Sequence, residues 1–247
     1  MIDDAMIPFG RAMLDYFEGK RDAQLLVRRD DGLVAPLPVS TFFRTVDQFT
    51  AIEREALSRC AGSVLDVGAG SGIHSLELQK KGLDVTALDI NQQAVQIMRR
   101  RGVQNVCQAN VLSYDQGPYD TLLLLGHGIG MVEDLSGLRR FLHHAQRLVT
   151  RQGQILLDSL DVERSVDPLN RAYHQLNRGR GRYPGETRLR FDYEGVPGTE
   201  CGWLHIDPVT LADHAAQNGW ICTTLLLGDS GEHLSRLERS PAIATSA

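Results

Sequence analysis

Residues 64–72 read Val-Leu-Asp-Val-Gly-Ala-Gly-Ser-Gly, and no other stretch restricts the fold of this chain as tightly. A short apolar run entering three alternate glycines and then a helical pattern is the layout of strand, tight turn and helix at the carboxyl edge of a parallel sheet. Gly68, Gly70 and Gly72 allow the backbone to turn sharply and let a ligand lie against bare main chain. A second apolar run, Val85-Thr86-Ala87-Leu88, closes on Asp89. That puts a carboxylate at the end of the neighbouring strand, where it can accept hydrogen bonds from a ribose diol.

The spacing separates two kinds of ligand. A dinucleotide fingerprint needs G-x-G-x-x-G, yet Ile73 stands at the third position counted from Gly68, and Ser75 at that counted from Gly70. The pattern present is D-x-G-x-G-x-G. Asp66, two places before the first glycine, is awkward beside a phosphate but useful beside an ammonium group. S-adenosyl-L-methionine (SAM) offers an amino acid moiety, a ribose diol and no phosphate. On Asp66, Gly68, Gly70, Gly72 and Asp89 the chain resembles the class I, Rossmann-like SAM-dependent methyltransferases. The segments 119–130 and 154–159 are similar to a bacterial group of such enzymes, for which a small-molecule acceptor is the expectation. The competing reading, a glycine-rich turn in an unrelated α/β domain, has to ignore that strand, turn, helix, strand and acid fall in order.

Composition narrows the partners. The 247 residues are 42% hydrophobic, enough for one α/β domain with additions, and the formal charge of -5 repels polyanions. Nucleic acid is therefore disfavoured. The opening Met1-Ile2-Asp3-Asp4-Ala5 is acidic where a secretory leader is basic, and no apolar run reaches membrane length, so a soluble cytoplasmic protein is expected. Cys60, Cys107, Cys201 and Cys222 are scattered, without C-x-x-C or histidine at zinc spacing, and read as reduced thiols. No metal is expected. The oligomeric state stays open, a homodimer included.

Along the chain, apolar residues at helical spacing over 5–18 predict an amphipathic helix. The segments 23–27 and 33–35 flank Asp31-Gly32, a hairpin signal; Pro36 and Pro38 end that unit, and a helix follows over 46–60. Strands are then predicted at 63–67, 84–89, 103–107, 121–125 and 154–158, alternating with helices at 72–81, 91–101 and 135–149. Residues 162–185, rich in Arg, Asn, Gly and Pro, read as a mobile connection. Period-two alternation at 187–193 and 202–206 predicts an inserted hairpin, followed by a helix over 208–218. Strands at 220–227 and 233–237 match the antiparallel pair that closes the sheet in the resembled family, and the tail from Ser240 reads as disordered.

The expected architecture is thus α/β, a doubly wound, mostly parallel seven-stranded Rossmann-like sheet with an N-terminal cap and an inserted β-hairpin. Its units are a cap at 1–59, a SAM-binding core at 60–160, a mobile connection with hairpin at 161–207, and a helix with strand pair at 208–239.

Methyl transfer from a sulfonium is an in-line displacement with a neutral leaving group, so the protein mainly orients the nucleophile and excludes water. A protonated oxygen or nitrogen nucleophile benefits from a general base. His127 follows the fourth strand directly, and the resemblance implies that Gly126, His127 and Gly128 lie beside the transferred methyl; the other reading is a histidine that only packs. His205, beside Trp203 on the predicted hairpin, is a second base candidate or a structural residue. Asp158 either orients substrate or is an ordinary loop carboxylate. The resemblance also implies that Asn110, where the family has aspartate, contacts the adenine amino group, and Ile90 either packs on the adenine or joins the core. Arg44 either reaches the SAM carboxylate or forms a surface ion pair. Arg99-Arg100-Arg101 reads as cations opposing a helix dipole, whereas Arg178, Arg180 and Arg182 either face solvent or close over an anionic substrate.

Three functions remain in play. The first is methylation of a small molecule. The second, methylation of RNA or protein on the same fold, is opposed by net charge and by Gly126-His127-Gly128-Ile129, which is unlike a clamp for a flipped base. A non-catalytic SAM- or nucleoside-binding protein is the third, opposed by the intact glycine and acid pattern.

Overall fold

The computed structural model describes residues 2–241. Helices α1 (Ile2–Ala5) and α2 (Ile7–Phe17) lead into strands β1 (Gln24–Arg29) and β2 (Val34–Pro38), joined through Gly32 at φ 93°. Pro36 and Pro38 lie within β2 rather than beyond it, which is tolerated because β2 is an edge strand whose missing N–H groups face no partner. The helix expected over 46–60 begins later. A 3₁₀ turn covers Val46–Gln48, and α3 (Ala51–Arg59) starts at Thr50, whose hydroxyl accepts from Glu53 N while the Glu53 carboxylate accepts from Thr50 N.

The doubly wound section follows as β3 (Ser63–Val67), α4 (Ile73–Lys80), β4 (Asp84–Asp89), α5 (Gln92–Arg101), β5 (Asn105–Gln108), β6 (Tyr119–Leu124), α6 (Leu135–Leu148) and β7 (Val149–Leu160). Asn91 caps α5 by accepting from Gln93 N and Ala94 N, and Gly102 ends it at φ 92°. Val103, expected to open a strand, belongs to that helix end: its N–H bonds Met98 O, and the strand starts at Asn105.

Residues 162–185 are not the expected connection. They form a 3₁₀ turn, Val162–Arg164, and α7 (Pro168–Gly179), capped by Asp167 and burying Tyr173, His174 and Asn177. Polar residues on the buried face hide the helical period, but Asp167-Pro168 carries the same cap-and-proline signal as Asp207-Pro208. The chain continues as β8 (Glu186–Tyr193), β9 (Val196–Pro197), β10 (Cys201–Leu204), α8 (Pro208–Gln217), β11 (Trp220–Leu227) and β12 (Glu232–Arg239). Of the tail expected from Ser240, the residues from Ala242 onward lie outside the described residues.

The main sheet has seven strands in the order β11-β12-β7-β6-β3-β4-β5. The central pairs are parallel, and only β12 runs against its neighbours, closing the sheet as expected. The order reverses between β3 and β6, which opens a crevice at their carboxyl ends where ligands of such sheets bind. One core lies under α6 and α8, where buried Trp220 donates its indole N–H to Leu142 O.

A second sheet, in the order β10-β8-β1-β2, joins the N-terminal hairpin to the insert. β8 pairs with β1 across Leu26–Asp192 and Val27–Phe191, so the two expected separate units are one body. Its inner face packs on α2 and α5 through Met13, Leu25, Ile97, Leu189 and Phe191. α2 in turn sits against the start of α5: Asn91 donates to Met6 O, and a Cβ on Gly10 would collide with the Asn91 side chain.

Candidate active site

At the crevice, Gly68 N and Ala69 N both donate to Leu88 O, fastening the turn after β3 to the end of β4. Gly68, Gly70 and Gly72 all have positive φ, which L side chains resist. Their further roles differ. A Cβ on Gly70 would meet nothing closer than Met13 Cε at 3.8 Å, so the space over the turn is open to a ligand. A Cβ on Gly72 would press on Val103 and Met98, so that glycine admits α5 rather than a ligand.

Asp89 is buried and binds main chain on both sides. Oδ2 accepts from Gly70 N and Oδ1 from Asn91 N, each at 2.8 Å. Burial pushes its carboxyl up to about 6, against the pull of those two bonds. Each oxygen keeps acceptor capacity, so the carboxylate fits a ribose diol while also clamping the turn. Ile90 is half-buried and belongs to none of the hydrophobic clusters of the described residues. The Asn110 carbonyl accepts from Leu112 N at 2.9 Å, holding its loop and leaving one lone pair and the amide for an adenine.

Asp66 departs from expectation. It is 2% exposed beneath the turn and accepts from Ser75 Oγ at 2.5 Å; burial raises its pKa. It braces α4 from below and does not face an ammonium group directly.

Arg44 follows the second of its two readings, an ion pair, and its guanidinium is already engaged. It donates to Glu53 at 2.8 and 3.0 Å and to the carbonyls of Thr41 and Gln48. Sequence reasoning missed Glu53 and its third partner, His74, whose Nε2 lies 2.8 Å from Oε1. Burial opposes the charge on Glu53, but hydrogen bonds from His74, Thr50 N and Arg44 outweigh it and hold the carboxyl at about 2. The Thr50-x-x-Glu53 capping pattern was the available signal. The arginines of α5 do more than oppose a dipole: Arg101 donates to Ser71 O and Oγ at 2.7 Å, and Arg100 pairs with Glu18. Ser71 Oγ donates to Phe42 O, tying the glycine turn to the N-terminal segment.

Opposite the turn, Gly126 (φ 68°) and His127 (φ 58°, ψ 32°) enter a 3₁₀ turn over Gly128–Val132 that leaves through Glu133 at φ 73°. Two left-handed non-glycine residues around one turn mark stored strain. Asp158 secures it: Oδ1 accepts from His127 N at 2.9 Å, and Oδ2 stands 3.9 Å from His127 Nδ1. Burial raises the Asp158 pKa while His127 lowers it. The insert supplies His205, whose ring meets that of His127 edge-on at 5.5 Å. Neither Nδ1 has a hydrogen-bond partner among the described residues. Burial, then the neighbouring His127 and His174, push His205 down to about 3, so it stays neutral and is a poor general base. Trp203 lies over Gly130, where a Cβ would come within 2.1 Å of the indole nitrogen, and Gly202 N donates to Glu133.

The fold therefore gathers Asp89, Ile90 and the glycine turn on one side of the crevice, with Gly126, His127, Asp158 and His205 on the other. Arg180 and Arg182 pair with Asp30, and Arg178 with Glu163, so none of the three is an uncommitted clamp. Among the described residues no group of three or more His, Cys, Asp or Glu side chains could hold a metal ion. No helix among them is long and apolar enough to cross a membrane.

Residues 42–191 match a family described as a methyltransferase domain. A SAM-dependent methyltransferase from Bacteroides fragilis, solved in complex with S-adenosyl-L-homocysteine, is 31% identical, with a TM-score of 0.84 over 96% of this chain and 97% of that one. The CcbJ methyltransferase from Streptomyces caelestis shares the fold at a TM-score of 0.58 and 14% identity, over 79% of this chain and 94% of that one. A 77-residue stretch, 30% of this chain, is 35% identical to a 23S rRNA (uracil(747)-C(5))-methyltransferase from Pyrococcus abyssi, but it spans only 19% of that protein.

Proposed function

We propose, from the premise that this chain belongs to the methyltransferase-domain family, that it methylates a small-molecule acceptor bound between His127 and the second sheet. It is a SAM-dependent methyltransferase of class I, Rossmann-like fold. The crevice suits the cofactor: the space over Gly70 is open, and Asp89 retains acceptor capacity there. When bound, SAM supplies an electrophilic methyl on a sulfonium that leaves as a neutral thioether. The glycine turn, Asp89, Ile90 and Asn110 would hold it.

The observation that carries the acceptor reading is the seating of the insert on the loop after β6. Trp203 covers Gly130, and His205 faces His127, so an acceptor must enter a walled site rather than an open surface. His127 is the general base in this reading. An O–H or N–H acceptor gives its proton to the imidazole as its heavy atom bonds to the methyl carbon and the sulfur–methyl bond breaks. Asp158 would stabilise the imidazolium so formed, and neutral His205 would hydrogen-bond the acceptor. Methylation of RNA is a second reading with the 77-residue rRNA methyltransferase match in its favour. The net charge of -5 and the pairing of the arginine run weigh against it.

The test is incubation with methyl-labelled SAM and separated dialysable, RNA and protein fractions of a bacterial extract. Label is expected in the dialysable fraction, and label confined to RNA or protein would refute the small-molecule reading.

A further inference from the structure

Beyond β7, the 3₁₀ turn Val162–Arg164 and helix α7 flank a half-open cavity of about 400 Å³, in the size range of small-molecule sites, whose arginines reach solvent. Its lining includes Glu163, Arg164, Val166, Arg171, His174 and Arg178. Arg171, His174 and Arg178 recur at helical spacing and so share one face of α7. Their commitments differ. Arg178 is paired with Glu163, and Arg164 is steadied by a bond to Gly228 O at 3.1 Å with Asp161 3.9 Å away. Arg171 makes no side-chain hydrogen bond or ion pair among the described residues. Three arginines against Glu163 and Asp161 leave one positive charge over, and it sits on Arg171, which has no side-chain partner among the described residues.

The cavity has a defined place relative to the chemistry. Buried His174, in its lining, makes no ring hydrogen bond among the described residues, and Asn177, on the same buried face of α7, donates to Pro184 O and Glu186 O. His205 faces His127. His205 N also donates to Gly185 O, between the two carbonyls that Asn177 of α7 binds, so α7 is seated on the segment that carries the histidine facing His127. Val166, 90% exposed, adds an apolar lip.

We infer that this cavity is the acceptor's anion subsite, in which Arg171, preset by Arg164 and Arg178, binds a carboxylate or phosphate group on the molecule to be methylated. The inference rests on the small-molecule reading above and names the class of acceptor that reading leaves open. A guanidinium forks onto either anion in the same way, so the two sources share one chemistry.

The experiment titrates SAH-saturated full-length protein calorimetrically with matched sets of phenols and amines. Each set has a carboxylated member, a phosphate monoester and a neutral methyl ester. One or both anionic members should bind about tenfold or more tightly than the neutral one, as a partly exposed charge-assisted pair allows. Which of the two does so identifies the anion. Arg171→Ala and Arg171→Glu should bring anionic and neutral members to parity while SAH affinity holds. Arg180→Ala, whose partner Asp30 lies outside the cavity lining, should change nothing. Equal binding of neutral and anionic members, or wild-type preference in Arg171→Ala, overturns this inference and leaves the small-molecule reading standing. Binding of an RNA oligonucleotide with no binding of any anionic member overturns both.

Discussion

Replacing Asp89 with asparagine separates two tasks of one carboxylate, and the two respond to acid in opposite directions. The buried carboxyl is raised to about 6. Relative to an ordinary aspartate near about 4, its ionised form costs about 3 kcal/mol of native stability at neutral pH. An asparagine avoids that cost but has one acceptor oxygen for two donors, Gly70 N and Asn91 N, and forfeits about 1.5–3 kcal/mol with the lost bond. Asp89→Asn should therefore fold with a stability within about 1 kcal/mol of wild type.

Affinity does not benefit from that cancellation, because the ribose hydroxyls lose a charged acceptor. SAH binding should weaken by about 10- to 100-fold. The sign of the pH effect follows from linkage. An acid whose folded pKa exceeds its unfolded value holds its proton more tightly in the native state. Its contribution is therefore most favourable at low pH, declines as pH rises from about 4 through about 6, and stays as a fixed penalty above. Going from about pH 7 to about pH 5, wild type should gain about 1.3 kcal/mol of stability relative to Asp89→Asn. Over the same interval its SAH affinity should fall by up to about tenfold as the acceptor is protonated, and the variant's should stay level. Urea unfolding and calorimetry in the same buffers measure both. Stability and affinity moving together in wild type, or a flat affinity profile, would refute the assignment of both tasks to this carboxylate.

His127→Gly removes about 1 kcal/mol of left-handed strain, offset in part by chain entropy, so Tm should hold or rise while kcat falls by about 100-fold. A lower Tm would assign His127 to packing. Gly130→Ala drives a Cβ into Trp203 and should cost about 1–3 kcal/mol and impair acceptor turnover, with calorimetric SAH affinity intact; parallel loss of SAH binding would mean that the insert also shapes the cofactor site. Glu53→Gln should lose about 2–3 kcal/mol at neutral pH. Because the folded Glu53 carboxyl is depressed, that deficit should be complete above the unfolded value near about 4.3 and shrink as pH falls toward about 2. Denaturant curves at neutral and acid pH test this, and a deficit independent of pH would mean that packing, not charge, is responsible.

Much of the central sheet is readable from sequence because its signals are local. The strands at Ser63–Val67 and Asp84–Asp89 carry apolar runs, Asn91 and Gly102 bracket α5 with a cap and a left-handed stop, and Gly68, Gly70 and Gly72 hold the positive φ that their spacing announces. The site at their carboxyl ends was legible for the same reason. A strand followed at once by Gly126 and His127 can deliver those residues to only one rim of a parallel sheet.

What lay outside that reach involves partners far apart in the chain. β1 and β8 pair across 160 or more positions, turning a cap and an insert into one sheet, and no periodicity within either strand names its partner. Arg44 could be read as an ion pair but not assigned to Glu53 until the fold brought the two together, and Asp66 looked like a ligand contact until α4 laid Ser75 over it. Asp89 was read as a ribose acceptor, yet only the packed turn gives it Gly70 N as well. Sequence determined most elements of the central sheet and the residues at its strand ends, since backbone geometry and capping are settled within a few residues. Tertiary structure decided which charges are consumed internally, as Arg44 is by Glu53, and which stay open to solvent, because that depends on distances that only the closed fold sets.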